Sequence, residues 1–171
     1  MEINFKQRLN NITCFVFDVD GVLTDGSLLI TEEGLMLRTM NIRDGYALQL
    51  AAKKGYPIFI ISGSTSEGVK IRLNRLGIKE IHMNVNDKAE CLDDLLKKHN
   101  LAHSQVLYMG DDVPDLNVLK KCAVATCPAD AMPEIKKECI YISEKNGGHG
   151  CVRDVIEQVM RLQGKWSDLV D

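Results

Sequence analysis

Short apolar runs alternate with helical patterns along nearly the whole chain, and this alternation constrains the fold more than any other feature of the 171 residues. The β-rich runs are ITCFVFD (12–18), PIFIIS (57–62), EIHMN (80–84), QVLYMG (105–110), CAVATC (122–127) and CIYIS (139–143). Helical spacing fills 44–54, 66–76, 87–99, 114–121 and 150–162. Asp44, Ser66 and Asp87 stand where N-caps belong, and Gly55 and Gly77 where helices end. Strands that are apolar on both sides need cover on both faces. The pattern therefore predicts an α/β fold, a Rossmann-like and mostly parallel sheet with helices on both faces. One segment breaks the alternation: SLLITEEGLMLRTMN (27–41) reads as two strands about a Glu-Glu-Gly turn, an inserted β-hairpin flap. No linker or repeat divides the chain, so one domain is expected over 1–171.

The net charge of −3 gives no electrostatic reason to expect nucleic acid or an anionic membrane as partner. No apolar run reaches the length of a membrane span, and residues 1–11 lack the apolar segment of a signal peptide. A cytoplasmic enzyme or binding domain is the expectation. Cys14, Cys91, Cys122, Cys127, Cys139 and Cys151 form no CxxC pair and no zinc-spaced cluster, so reduced thiols packed as small hydrophobes are predicted.

In an open α/β sheet, ligands bind beyond the carboxyl ends of the strands. Four polar clusters fall there: Asp18-Val-Asp20, Ser62-Gly-Ser-Thr-Ser66, Asp87-Lys88 and Gly110-Asp-Asp-Val-Pro-Asp115. The stretch FVFDVDGVLTDG (15–26) is the densest, ending a buried strand in Asp18, Asp20 and Asp25. Crowded carboxylates need a cation or a shared proton between them. A set of oxygens without His or Cys suits a hard ion, Mg²⁺ above all. The Ser62 cluster offers hydroxyls and backbone N–H groups to an anion, although a loop with an N-cap is the more ordinary meaning of such a run. Lys88 opposes the dipole of the helix it begins. Surface lysine is commoner, but a cation there beside acids and an anion nest describes a phosphoryl-transfer site.

DVDGVLTDG resembles motif I of the haloacid dehalogenase superfamily. Ser62 after PIFIIS matches motif II, Lys88 motif III, and GDDVPD (110–115) motif IV, in the family's order. The resemblance implies Asp18 as the nucleophile that takes the phosphoryl group, and Asp20 as general acid and then base. It implies Mg²⁺ held by the Asp18 carboxylate, the Asp20 carbonyl and Asp111. Ser62 and Lys88 would bind the phosphoryl oxygens, with Asp115 orienting Lys88 and Asp112 standing behind the ligands.

Many members close the site with an inserted cap. Here 41 residues lie between Asp20 and Ser62 and 25 between Ser62 and Lys88, too few in either gap for a second domain. The chain resembles the capless branch, whose members assemble as homotetramers with each site completed by a neighbouring subunit. NIRDGYAL (41–48) and NGGHGCVRD (146–154) are similar to segments of the 3-deoxy-D-manno-octulosonate 8-phosphate phosphatases. That likeness implies a small sugar-acid phosphate as substrate, met by Asp20, Asn41, Ile42, Arg43, Asp44, Gly45, Ser64, Arg72 and Lys88. Many of those phosphatases carry arginine where this chain has Ser64, so nonulosonate 9-phosphates stay open as substrates. A phospho-accepting receiver domain is the remote non-enzymatic alternative, since it too joins acids, Ser/Thr, Lys and Mg²⁺. Its lysine closes the chain, whereas Lys88 precedes the second acid cluster.

Overall fold

The computed structural model describes residues 5–166. Residues 1–4 of the 1–11 stretch and both ends of the domain expected over 1–171 lie outside that range. The elements in chain order are α1 (Phe5–Leu9), β1 (Cys14–Phe17), β2 (Leu29–Ile30), β3 (Met36–Leu37), α2 (Ile42–Lys53), β4 (Ile58–Ile61), α3 (Glu67–Arg75), β5 (Glu80–His82), α4 (Lys88–His99), β6 (Val106–Met109), α5 (Leu116–Leu119), β7 (Val124–Cys127), α6 (Pro133–Glu138), β8 (Tyr141–Ile142) and α7 (Cys151–Leu162). Six strands form one sheet in the order β5-β4-β1-β6-β7-β8, and every pairing in it is parallel. The expected α/β fold is therefore present, and the described residues include no cap domain.

Each residue of β1, β4, β6 and β7 is buried, because the two-residue period of a strand sends neighbours to opposite faces and both faces are covered. Phe15, Phe17 and Ile60 pack with Leu48 of α2, Leu73 of α3 and Val155 of α7. Val16, Phe59 and Tyr108 pack with Leu92 of α4, Leu119 of α5 and Ile135 of α6. The strand order sets β5, β4, β1 and β6 side by side and parallel, so all four polar clusters follow adjacent strands at one end of the sheet. The six cysteines are unpaired, three of them buried.

The element bounds differ from the sequence expectation in places with physical causes. Ser66 and Asp87 cap α3 and α4 as read, but α2 starts two residues early, at Ile42. Its N-cap is Asn41, whose Oδ1 accepts from the N–H groups of Arg43 and Asp44 at 2.8 and 3.3 Å. Asp44 is free for another task, described below. The expected helix 114–121 contracts to α5 behind a 3₁₀ turn, Val113–Asp115, where Pro114 lacks an N–H and Asp115 folds back into the core. Two short helices were not foreseen. α1 places Phe5 in a stack on Tyr141, with ring centroids 4.7 Å apart, and α6 opens with Pro133 at its first position.

The flap is a separate two-stranded antiparallel sheet, pairing Leu29 with Leu37 and Ile30 with Met36. It leaves Leu29 at 68% exposure, Ile30 at 64% and Leu35 at 60%, and beside it Ile42 is 78% exposed. Among the described residues no helix is long and apolar enough to cross a membrane.

Candidate active site

β1 delivers Asp18, and the chain then turns through one π-type loop, Val19–Leu23. The buried hydroxyl of Thr24 holds that loop, accepting from the N–H groups of Gly21 and Gly26 at 3.3 Å each and donating to the Val19 carbonyl. Gly21 has φ of +81°, and a Cβ there would overlap the Asp111 carboxylate. Only glycine permits both the turn and the approach of that acid to the residue 20–21 backbone.

Lys88, the first residue of α4, is 5% exposed, and its Nζ lies 2.7 Å from Asp18 Oδ2 and 2.7 Å from Asp115 Oδ1. Here the cation opposing the helix dipole finds its compensation in two buried carboxylates. Asp115 is fully buried. Its Oδ1 also accepts from the Tyr108 hydroxyl at 2.7 Å, and its Oδ2 from the N–H groups of Asp111 and Asp112 at 3.0 and 3.4 Å. Tyr108 is a member of this network that sequence reasoning missed. Nothing in an apolar strand separates a tyrosine needed for its hydroxyl from one needed for its ring.

Carboxylate oxygens of Asp18, Asp111 and Asp115 all lie within 4.8 Å of one another. Because the oxygens of Asp115 are spent on Lys88, Tyr108 and two N–H groups, Asp18 and Asp111 are the pair with capacity for a cation. Burial, then the charges of Asp18 and Asp115, push the Asp111 carboxyl up to about 8. Burial and Asp115 push Asp18 up to about 6, against the pull of Lys88. The carboxylates of Asp18 and Asp111 converge in a set of donors that is all oxygen, which suits a hard cation. The residues fit a Mg²⁺ bound by Asp18, Asp111 and the Asp20 carbonyl beside Gly21.

Asp20 is gripped by a residue that went unnoticed in the sequence. Arg38, just past β3, directs Nε to Asp20 Oδ1 at 2.6 Å and Nη2 to Oδ2 at 3.1 Å. Burial would raise the Asp20 carboxyl, but hydrogen bonds from Arg38 and Ser64 and the charges of Arg38 and Lys88 outweigh it and hold it below its usual range. Ser64 Oγ is 3.1 Å from Ser62 Oγ, so Ser62, Ser64 and Asp20 form one chain of polar contacts. A cation leaving an apolar hairpin was the available signal for Arg38. No spacing rule links positions 20 and 38.

Some acids named from the sequence do not face this centre. Asp25, one of the three in the opening cluster, is exposed and accepts from the Ser27 N–H at 2.8 Å. It is a turn residue, and its presence beside Asp18 and Asp20 reflects loop chemistry instead of a shared cation. Asp112 is exposed, and its Oδ1 accepts from the Val113 N–H at 2.7 Å. The Asp44 carboxylate, 1% exposed, accepts from the N–H groups of Gly150 and Arg153 at 3.2 and 2.7 Å. It ties α2 to the start of α7 instead of opening to solvent. Asn41 spends its side chain as the cap of α2, and Ile42 and Arg43 are exposed beside it. Gly45 leaves room for Arg72, whose guanidinium would meet any Cβ at that position.

The chain is similar to known proteins. A profile of the haloacid dehalogenase-like hydrolase family matches residues 77–156. The 3-deoxy-D-manno-octulosonate 8-phosphate phosphatase of Escherichia coli is 34% identical over 92% of this chain and 84% of its own length. The chain belongs to the haloacid dehalogenase-like hydrolases. Among solved structures of this family, the octulosonate 8-phosphate phosphatase of Moraxella catarrhalis, in complex with magnesium, phosphate and the sugar acid, superposes with a TM-score of 0.90. It is 33% identical, over 93% of this chain and 91% of that one. The cobalt-bound enzyme of Haemophilus influenzae superposes with a TM-score of 0.90 at 30% identity, over 96% of each chain.

Proposed function

We propose that this protein is a Mg²⁺-dependent phosphatase of sugar-acid phosphates, with 3-deoxy-D-manno-octulosonate 8-phosphate as its substrate, acting as one domain over 1–171 in the cytoplasm. The observation that carries the reading is Lys88 held between Asp18 and Asp115, with a carboxylate oxygen of Asp111 within 4.8 Å of theirs. A nucleophilic carboxylate flanked by a fixed cation and by a second acid is what transfer of a dianionic group to Asp18 needs.

Asp18 attacks phosphorus and the bond to the leaving oxygen breaks, giving a phosphoryl group covalently held on the Asp18 carboxylate. Asp20 gives its proton to the departing alkoxide, then takes one from the water that releases phosphate. Lys88 and Ser62 hold the equatorial oxygens, and Asp115 keeps Lys88 in line. Bound magnesium supplies the charge that Asp18 and Asp111 lack and offsets that of the phosphoryl oxygens.

A cleft of about 790 Å³ opens between the hairpin and α3, and Arg38 and Arg72 stand among its walls. The Arg72 guanidinium supplies a sugar carboxylate with the positive charge that Ser64 does not. The relatives' named activity and the sugar acid bound in the Moraxella catarrhalis enzyme favour eight carbons. A panel of phosphate esters tests this. Turnover should be abolished by EDTA and restored by Mg²⁺, and kcat/KM for octulosonate 8-phosphate should exceed that for nonulosonate 9-phosphates by about tenfold or more, as pocket contacts permit. Preference for a nine-carbon ester would overturn the substrate, and inertness toward every ester would overturn the class.

The bare hairpin supports a homotetramer whose sites are completed by neighbours. Leu29, Ile30, Leu35, Met36 and Leu37 are exposed apolar side chains on both faces of a two-stranded hairpin whose outer edges are unpaired. Pairing four hairpins about an axis covers edges and faces together. Light scattering should give a mass near four chains. Leu29→Asp should reduce it and should lower activity on the sugar acid more than on a small aryl phosphate. A fully active monomer would refute the shared site.

A further inference from the structure

The Arg38–Asp20 contact has a geometry that an incidental ion pair lacks. It is bidentate through Nε and Nη2, the Arg38 side chain is only 4% exposed, and Nη1 is committed to the Met36 carbonyl at 3.1 Å. A guanidinium fork fixes the plane of a carboxylate as well as its position, which a lysine ammonium cannot do. Because Nη1 is tied to the hairpin backbone, the fork is referenced to β3 and not to the flexible end of a side chain. The two contacts are unequal, 2.6 Å to Oδ1 and 3.1 Å to Oδ2. Oδ1 is the anchored oxygen. The fork holds Asp20 ionised. The acid form therefore arises when the longer contact opens and Oδ2 takes a proton from water, with Arg38 still bound to Oδ1.

We infer that Arg38 is the positioning residue of Asp20, orienting its carboxyl toward the leaving oxygen from the hairpin. The inference rests on the proposed role of Asp20 as general acid. Arg38 itself touches no reacting atom. In the first half-reaction the phosphorus–oxygen bond breaks with its electron pair on the leaving oxygen, a bond forms from Asp18 to phosphorus, and the Asp20 proton moves to that oxygen. Only the last of these needs the carboxyl in a set plane. It matters most for a sugar alkoxide, a poor leaving group, and least for an aryl oxide that departs without a proton. Loss of Arg38 must therefore cost more as the leaving group becomes more basic, whereas a general loosening of the site costs all esters alike. Because Arg38 leaves the hairpin, packing of the hairpin against other subunits would also set the pose of the acid.

The experiment measures kcat/KM of the full-length protein, Arg38→Ala and Arg38→Lys with Mg²⁺ across aryl phosphates of graded leaving-group acidity and a primary alkyl phosphate. For Arg38→Ala the alkyl ester should lose about tenfold or more beyond the loss on 4-nitrophenyl phosphate, the scale of a positioned proton donor. Its rate should therefore depend more steeply on leaving-group acidity than that of the unaltered protein. Arg38→Lys restores charge without the fork and should recover only part of the loss on the alkyl ester. Equal losses across the series in both variants would overturn the role of Arg38 while leaving the phosphatase standing. Full rescue by lysine would overturn orientation in favour of charge alone. If the unaltered protein hydrolyses no ester in the series, the reaction class fails and this role with it.

Discussion

Asp18→Asn should lower turnover of any phosphate ester by roughly 10⁴-fold or more, the scale seen when a covalent nucleophile is removed. The amide has nearly the shape of the carboxylate but no charge with which to attack phosphorus. The same substitution should not weaken the fold. Burial first, and Asp115 second, raise the Asp18 carboxyl to about 6, so its ionised form is a burden on the folded chain when no metal is present. The sign follows from linkage. A raised folded-state value means that stability is full below the unfolded value and is lost as pH rises through about 6. In EDTA the asparagine variant should therefore melt higher than the unaltered protein at pH 8, with the difference shrinking toward pH 4. Phosphate release and thermal melts across pH measure both effects. Residual turnover above a trace would rule out a phosphoryl group carried on Asp18, and a lower melting temperature at pH 8 would contradict the burial argument.

Asp115→Ala should be the most damaging substitution for the fold of the site. The fully buried carboxylate accepts from Lys88, the Tyr108 hydroxyl and two backbone N–H groups. Removing it leaves a buried ammonium with one partner and a buried phenol with none. The cost of breaking such a pair from one side is about 3–5 kcal/mol. Asp115→Asn, which keeps an acceptor, should lose less. Urea unfolding of both variants decides the matter, and a midpoint for Asp115→Ala close to that of the unaltered protein would show that water replaces the lost partners. Activity should fall with stability, because Asp115 is the fully buried acid that holds Lys88 beside Asp18.

Much of the molecule was legible before any tertiary contact was known. Strand positions followed from apolar runs bounded by turns, since a strand buried on both faces tolerates little else. Asp18, Ser62, Lys88 and Asp111 could be named because sheet topology puts every strand's carboxyl end on one side, whatever the packing. Lys88 broke a local electrostatic rule, and broken rules mark sites where a distant partner compensates. Asp25 misled for the opposite reason, since an acid that caps its own turn satisfies a local rule and leaves no trace of that in the spacing.

The chain alone, then, pointed to the α/β class and to four polar clusters at the carboxyl ends of the strands, all of which depend on period, order and length. Tertiary structure decided the pairings among those groups. Arg38 reaches Asp20 across 18 positions, Tyr108 donates to Asp115, and Asp44 turns 106 positions away to Gly150. These contacts depend on how far a hairpin folds back and on which face of α2 meets α7. They are set by packing across the whole core, and no stretch of sequence short enough to read as a motif contains both partners of the longer ones.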